Sequence, residues 1–151
     1  MLTTQLLVAP ILNDEGIAEY YVPEGKWTDI ITGKVLEGGK WYKHKCSYFE
    51  IPALAKPNSI IAYGNFERQI EYDYLEGTTF TIYELEDGKS AVCPIYDTEA
   101  NKVFELTATR HGNKIECEYT DTKASFKITV ANTDKTVEIA PNFSGKVIIE
   151  L

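Results

Sequence analysis

The sequence predicts an all-β chain, built as two small antiparallel β-sandwich domains in tandem. Three observations lead there. Apolar and polar residues alternate in short runs. Gly, Asn and Asp turn signals separate those runs at the spacing of sandwich strands. No window shows a 3.6-residue apolar stripe of helical length.

The first strand signal is residues 6–12, a continuous apolar run of the kind buried on both faces. Asn13-Asp14-Glu15-Gly16 then turns the chain, since short polar side chains bond their own backbone and Gly accepts positive φ. Strands are predicted at 18–22, 27–31, 35–36, 41–45, 48–51 and 60–63, with turns at Pro23-Glu24-Gly25, Thr32-Gly33 and Gly38-Gly39. Residues 64–70 interrupt this rhythm and predict a boundary, with one helical turn at 65–69. The domains are therefore expected at 1–64 and 65–151.

Beyond the boundary the alternation is strict. Phe80 and Ile82 share a face, as do Phe104, Leu106 and Ala108, then Ile115, Cys117 and Tyr119, then Phe126, Ile128 and Val130. Successive strand side chains point to opposite faces, so each run has one dry and one wet side. Turn signals stand at Asp87-Gly88, His111-Gly112-Asn113, 121–123, 132–134 and 142–145. Domains of about 65 and 85 residues would each bury only roughly 60% of their unfolded surface, so the halves need each other or a further partner.

The net charge of −8 repels nucleic-acid phosphates and anionic lipid, so neither is an expected partner. Three cysteines leave at least one unpaired, and none forms a CxxC motif. That favours a reducing, cytoplasmic setting over a disulfide scaffold.

The candidate chemistry is sparse. His44 and Cys46 share a strand face, but a metal needs three or four converging ligands and a dyad needs an orienting third group. His111 sits in a hairpin turn. Carboxylates recur at Glu71 and Asp73, Glu84 and Glu86, Asp97 and Glu99, on wet faces or in turns. Residues 97–101 offer oxygen ligands to calcium, without the spacing of an EF-hand loop. No dinucleotide, P-loop or nucleophile-elbow motif occurs, so no cofactor is expected. The aromatics Trp27, Trp41, Tyr42, Tyr72 and Tyr74 lie beside turns or polar neighbours. They suit either a core or interface, or a platform on which sugar rings stack. Tyr72 and Tyr74 share a face at the two-residue period, and their place after the boundary favours an interdomain seam.

One group of motifs goes further. Pro23-Glu24-Gly25-Lys26-Trp27-Thr28-Asp29-Ile30-Ile31-Thr32-Gly33 fits PEGxWxDxxTG. Gly38-Gly39-Lys40-Trp41 and Lys56-Pro57-Asn58-Ser59-Ile60-Ile61 follow in order. The series resembles the region after the catalytic barrel in glycoside hydrolase family 31, the α-xylosidases and α-glucosidases. Lys56 stands where that pattern usually has Arg, Ala62 where Pro is common, and Ala53-Leu54-Ala55 replaces a step that usually contains an aromatic. The resemblance implies a proximal and a distal sandwich that follow a (β/α)8 barrel. It implies that the two catalytic aspartates of a retaining hydrolase lie on that barrel, so no catalytic residue carries over. The expected role is an accessory region that braces the barrel and takes part in oligomers. The alternative is a carbohydrate-binding module. The apolar run 6–12 is the expected docking surface for the barrel.

Overall fold

A computed structural model describes residues 5–48, 50–65, 75–120, 122–141 and 145–151. Among them there are fourteen strands and no helix. The chain divides into two compact units, Met1–Pro57 and Asn58–Leu151.

The first unit holds β1 (Leu6–Val8), β2 (Ile17–Val22), β3 (Lys26–Asp29), β4 (Val35–Glu37), β5 (Lys40–Lys45) and β6 (Ala53–Ala55). One sheet has the order β1-β6-β3-β4, and β2 pairs with β5 as a separate ribbon. Val22, Trp27 and Leu54 form the buried core, with Leu7, Tyr20, Leu36 and Tyr42 packed around them. Two crossings between ribbon and sheet occur side by side, at Pro23-Glu24-Gly25 and at Gly38-Gly39. Gly38 N–H donates to the Gly25 carbonyl at 2.8 Å, and Gly39 N–H to the Val22 carbonyl at 2.8 Å. A Cβ on Gly38 would stand 1.6 Å from the Pro23 oxygen, so only glycine fits there. Trp27 Nε1 and Thr28 Oγ1 are buried with no hydrogen-bond partner among the described residues. Each such group costs about 1–3 kcal/mol.

The second unit holds β7 (Ser59–Tyr63), β8 (Thr78–Tyr83), β9 (Ser90–Tyr96), β10 (Lys102–His111), β11 (Lys114–Tyr119), β12 (Phe126–Val130), β13 (Thr136–Ile139) and β14 (Lys146–Glu150). Its sheets have the orders β14-β11-β10-β9 and β13-β12-β8-β7. Between them lies a continuous apolar core. Phe80, Phe104, Phe126 and Tyr119 interlock at its centre, with ring centroids 5.1–5.6 Å apart in the tilted and edge-on pairs. Edge-on contacts suit the ring quadrupoles. Outside, Lys146 bridges to Glu116 at 2.6 Å and Lys114 to Glu150 at 3.5 Å. These exposed pairs each contribute little.

The structure departs from the sequence expectations at five places. The division falls at Pro57/Asn58 rather than Gly64, because β7 hydrogen-bonds along β8 from Ser59↔Tyr83 to Tyr63↔Thr79. β1 ends at Val8 instead of running to Leu12, since Pro10 has no N–H to give a ladder. Ser47 and Glu50 turn the chain where a strand was expected at 48–51: Glu50 N–H donates to the Ser47 carbonyl at 3.1 Å. Four strands went unread: β6, whose alanines are weak strand formers, and β9, β13 and β14. Finally, β8 and β12 pair in parallel, so that sheet is mixed rather than antiparallel. The chain passes through β9, β10 and β11 of the facing sheet before returning as β12, and such a crossover brings it back in the same direction. The helical turn expected at 65–69 lies largely outside the described residues.

Replacing Phe104 by Ala should destabilise the chain by about 3–5 kcal/mol, since the ring is fully buried. Its neighbour Val103 is half exposed. Val103→Ala should stay within about 0.5 kcal/mol of wild type. Urea unfolding monitored by tyrosine and tryptophan fluorescence checks both, and equal losses would contradict this core.

Candidate functional site

The ribbon of β2 and β5 presents aromatic pairs on its two faces. Its register sets Tyr21 opposite Trp41 and Tyr20 opposite Tyr42. Successive residues alternate sides, so the two pairs point in opposite directions. Tyr21 and Trp41 meet edge-on, with centroids 5.8 Å apart, and are 45% and 69% exposed. Beside them on the same face Lys43 Nζ and Glu19 Oε2 pair at 3.9 Å.

Tyr20 and Tyr42 lie nearly parallel, centroids 6.2 Å apart, and wall a cavity of about 260 Å³. Tyr42 is fixed by donating its hydroxyl to the Glu37 carbonyl at 2.8 Å, with Lys40 Nζ 5.5 Å from the ring centre. Leu36, Ile51 and Pro52 supply further apolar lining. Asp29 lies at the end of β3, where its Oδ1 accepts from the N–H groups of Ile31 and Thr32 at 2.9 Å each. The same turn is closed by Gly33 N–H on the Asp29 carbonyl at 2.8 Å, with Gly33 at φ 73°. Glu50 accepts from Ser47 N–H at 2.8 Å, and that bond holds its carboxyl below the usual range. Lys34, Lys43 and His44 complete the polar lining. Burial first, and then the Asp29 charge, push the Tyr20 phenol up.

Of the residues singled out in the sequence, Trp27 is 7% exposed and packs in the core with Val22 and Leu54, away from any open surface. Trp41 and Tyr42 sit side by side in β5 but face opposite ways. Tyr72 and Tyr74 lie outside the described residues. Cys46 and His44 form no dyad: the thiol lies 3.9 Å from the His44 carbonyl oxygen, and burial raises its pKa. His111 closes the β10–β11 hairpin opposite Lys114. At 97–101, Asp97 spends its carboxylate on the N–H groups of Glu99 and Asn101, at 2.9 and 2.8 Å, and on the Asn101 side chain. No cluster of three metal-binding side chains occurs among the described residues. Tyr20, Tyr21, Asp29 and Glu50 were not singled out. The Tyr20-Tyr21 doublet signals two opposite faces, but the pairing of β2 with β5 spans two intervening strands and leaves no local trace.

A family profile described as "Glycosyl hydrolase family 31 C-terminal domain" matches residues 1–61, and one described as "Alpha-xylosidase YicI, C-terminal domain" matches residues 73–151. The chain is 32% identical over 118 residues to the α-xylosidase XylQ of Lactiplantibacillus pentosus, covering 76% of this chain and 15% of that protein. It is 40% identical over 130 residues to an α-xylosidase of Emericella nidulans, covering 77% of this chain and 16% of that one. Among solved structures, a GH31 dextranase of Flavobacterium johnsoniae superposes with a TM-score of 0.79 at 17% identity, over 100% of this chain and 26% of the other. The GH31 α-xylosidase of Xanthomonas citri gives 0.74 at 14% identity, over 100% and 19%. At those identities the likeness is one of fold.

Two measurements check this environment. Burial pushes the Cys93 thiol up to about 11 and that of Cys117 to about 12. At pH 8 about one Cys93 thiol in a thousand is then thiolate, so both should react with a disulfide reagent only as the chain unfolds. Rapid native labelling would contradict their burial. The Glu50 carboxyl should titrate below an ordinary glutamate. Its contribution to holding the 47–50 turn is present above the unfolded pKa and is lost as pH falls through the folded one. Carboxyl carbon NMR shifts against pH report it, and Glu50→Gln should remove that transition.

Proposed function

Because the chain belongs to glycosyl hydrolase family 31 through its C-terminal domains, we propose that it is the non-catalytic accessory region of a longer glycoside hydrolase acting on α-xylosides or α-glucosides. Its two units brace the catalytic barrel of that enzyme. The observation that carries this reading is the pairing of two terminal-domain profiles over a chain that spans only 15% and 16% of its α-xylosidase relatives. Glycoside hydrolysis needs two carboxyl groups facing across the scissile bond, one of them with a raised pKa. The carboxylates of Glu50 and Asp97 are instead held by neighbouring backbone N–H groups, which favour the charged form. β1 supports docking: it is an edge strand, with Leu7 half-buried and Val8 41% exposed. Three unpaired, buried thiols support a cytoplasmic setting. Association of copies through the same region is a further part of the reading.

The purified chain should release no p-nitrophenol from aryl α-xylosides or α-glucosides. A parent enzyme lacking this region should lose thermal stability and recover it when the chain is added in trans, and Val8→Asp should weaken that recovery. Hydrolysis by the chain that a point change within it abolishes, or a truncated parent as stable as the intact one, would overturn the proposal.

A further inference from the structure

We propose that the cavity of the first unit is a non-catalytic subsite for one neutral sugar ring, at the level of a single pyranose of a xyloside or glucoside. The choice of xyloside or glucoside rests on the substrates proposed for the parent enzyme, while the site itself is independent of the bracing role.

Size comes first. At about 260 Å³ the cavity falls just below the roughly 300–1,000 Å³ of pockets for drug-sized ligands, which leaves room for one ring and not for an oligomer. The wall comes next. Tyr20 and Tyr42 stack with planes 19° and centroids 6.2 Å apart, and both rings line the cavity, which offers aromatic surface to the C–H face of a pyranose. The polar lining then chooses between occupants. Asp29 and Glu50 are acceptors fixed in place by backbone donors, and Lys34 is a donor in the same lining, while the Lys43 ammonium turns to Glu19 on the other face of the ribbon. Two carboxylates against one ammonium leave a negative excess, which disfavours an anion. An apolar side chain seated here would strip water from three charged groups and return no hydrogen bonds, at high cost. A polyhydroxylated neutral ring stacks on the tyrosines and both donates to the carboxylates and accepts from the Lys34 ammonium.

Titration of the 15N-labelled chain with methyl α-xyloside and with methyl α-glucoside tests this by backbone amide shifts. A dissociation constant of roughly 1–10 mM is expected, the level of a small shallow site. Shifts should centre on residues 29–34 and 42–52. Ile31 lines the cavity yet is 58% exposed, so a larger side chain there fills the opening without entering the core. Ile31→Trp should weaken binding by at least about tenfold with the amide spectrum otherwise retained, and Ile51→Trp serves if the first variant unfolds. Trp41→Ala, on the opposite face of the ribbon, should leave the affinity within about twofold. No shifts at either sugar, or shifts that follow Trp41→Ala and ignore Ile31→Trp, would overturn the proposal. Neither result would touch the docking reading, which recovery in trans tests separately.

Discussion

The contact of Gly38 with the Pro23 carbonyl sets the geometry of the first unit. The chain crosses between ribbon and sheet twice, and the two crossings lie against each other at that point. Backbone meets backbone there, with no space for even one methyl group. The crossing at Gly38-Gly39 delivers β5 to its place beside β2, and the crossing at Pro23-Glu24-Gly25 delivers β3 to its place beside β4. Hydrogen bonds from Gly38 and Gly39 then tie the second crossing to the first. The tyrosines stand on the ribbon and Asp29 on the sheet, so the mutual position of wall and acceptor follows from this corner. The apolar core of the unit is small, and two of its buried polar atoms lack partners among the described residues. Turn geometry accordingly supplies much of the order that packing supplies in the second unit.

The ribbon separates two kinds of aromatic surface with one residue of offset. Tyr20 and Tyr42 are half covered and close to fixed charges, and the Tyr42 hydroxyl is hydrogen-bonded. Tyr21 and Trp41 stand in solvent. Exposed indole of this extent is uncommon, because tryptophan usually buries most of its area. A shift of one residue in the β2–β5 register would exchange the two faces and place Trp41 within the cavity. The register is pinned at both ends. Gly39 bonds Val22 at one end, and Cys46 N–H donates to the Gly16 carbonyl at 2.8 Å at the other.

How much of this was legible in the sequence depended on the range of the interaction. Local signals read well: the strict alternation of β8, β10, β11 and β12, the Asn13–Gly16 turn, and the His111-Gly112 hairpin. For that turn the structure gives the reason, since Asn13 Oδ1 accepts from Ile17 N–H at 2.8 Å. Pairing between distant strands did not read. β6 has three buried residues and sits between β1 and β3, yet Ala-Leu-Ala carries no strand signature. The parallel match of β8 with β12 follows from topology and not from composition. The cavity failed to read for the same reason, because its lining comes from four separate stretches between Tyr20 and Pro52. Trp27 left two readings open, core or interface against sugar platform, and the strand period turns the ring inward to the core.

The position of β7 has a consequence for how such chains can be cut and recombined. The first profile reaches residue 61, whereas the second unit begins at Asn58. The segment between belongs to the first module by descent and to the second sheet by hydrogen bonding. A cut at the inherited boundary would remove most of an edge strand and leave β8 with a row of unpaired backbone groups. Such a bare edge recruits any extended chain that reaches it, including another copy of itself. Swapping these modules between relatives at the limits of sequence similarity would therefore yield a sticky second half, while a cut before Asn58 would carry the strand with the sheet it closes.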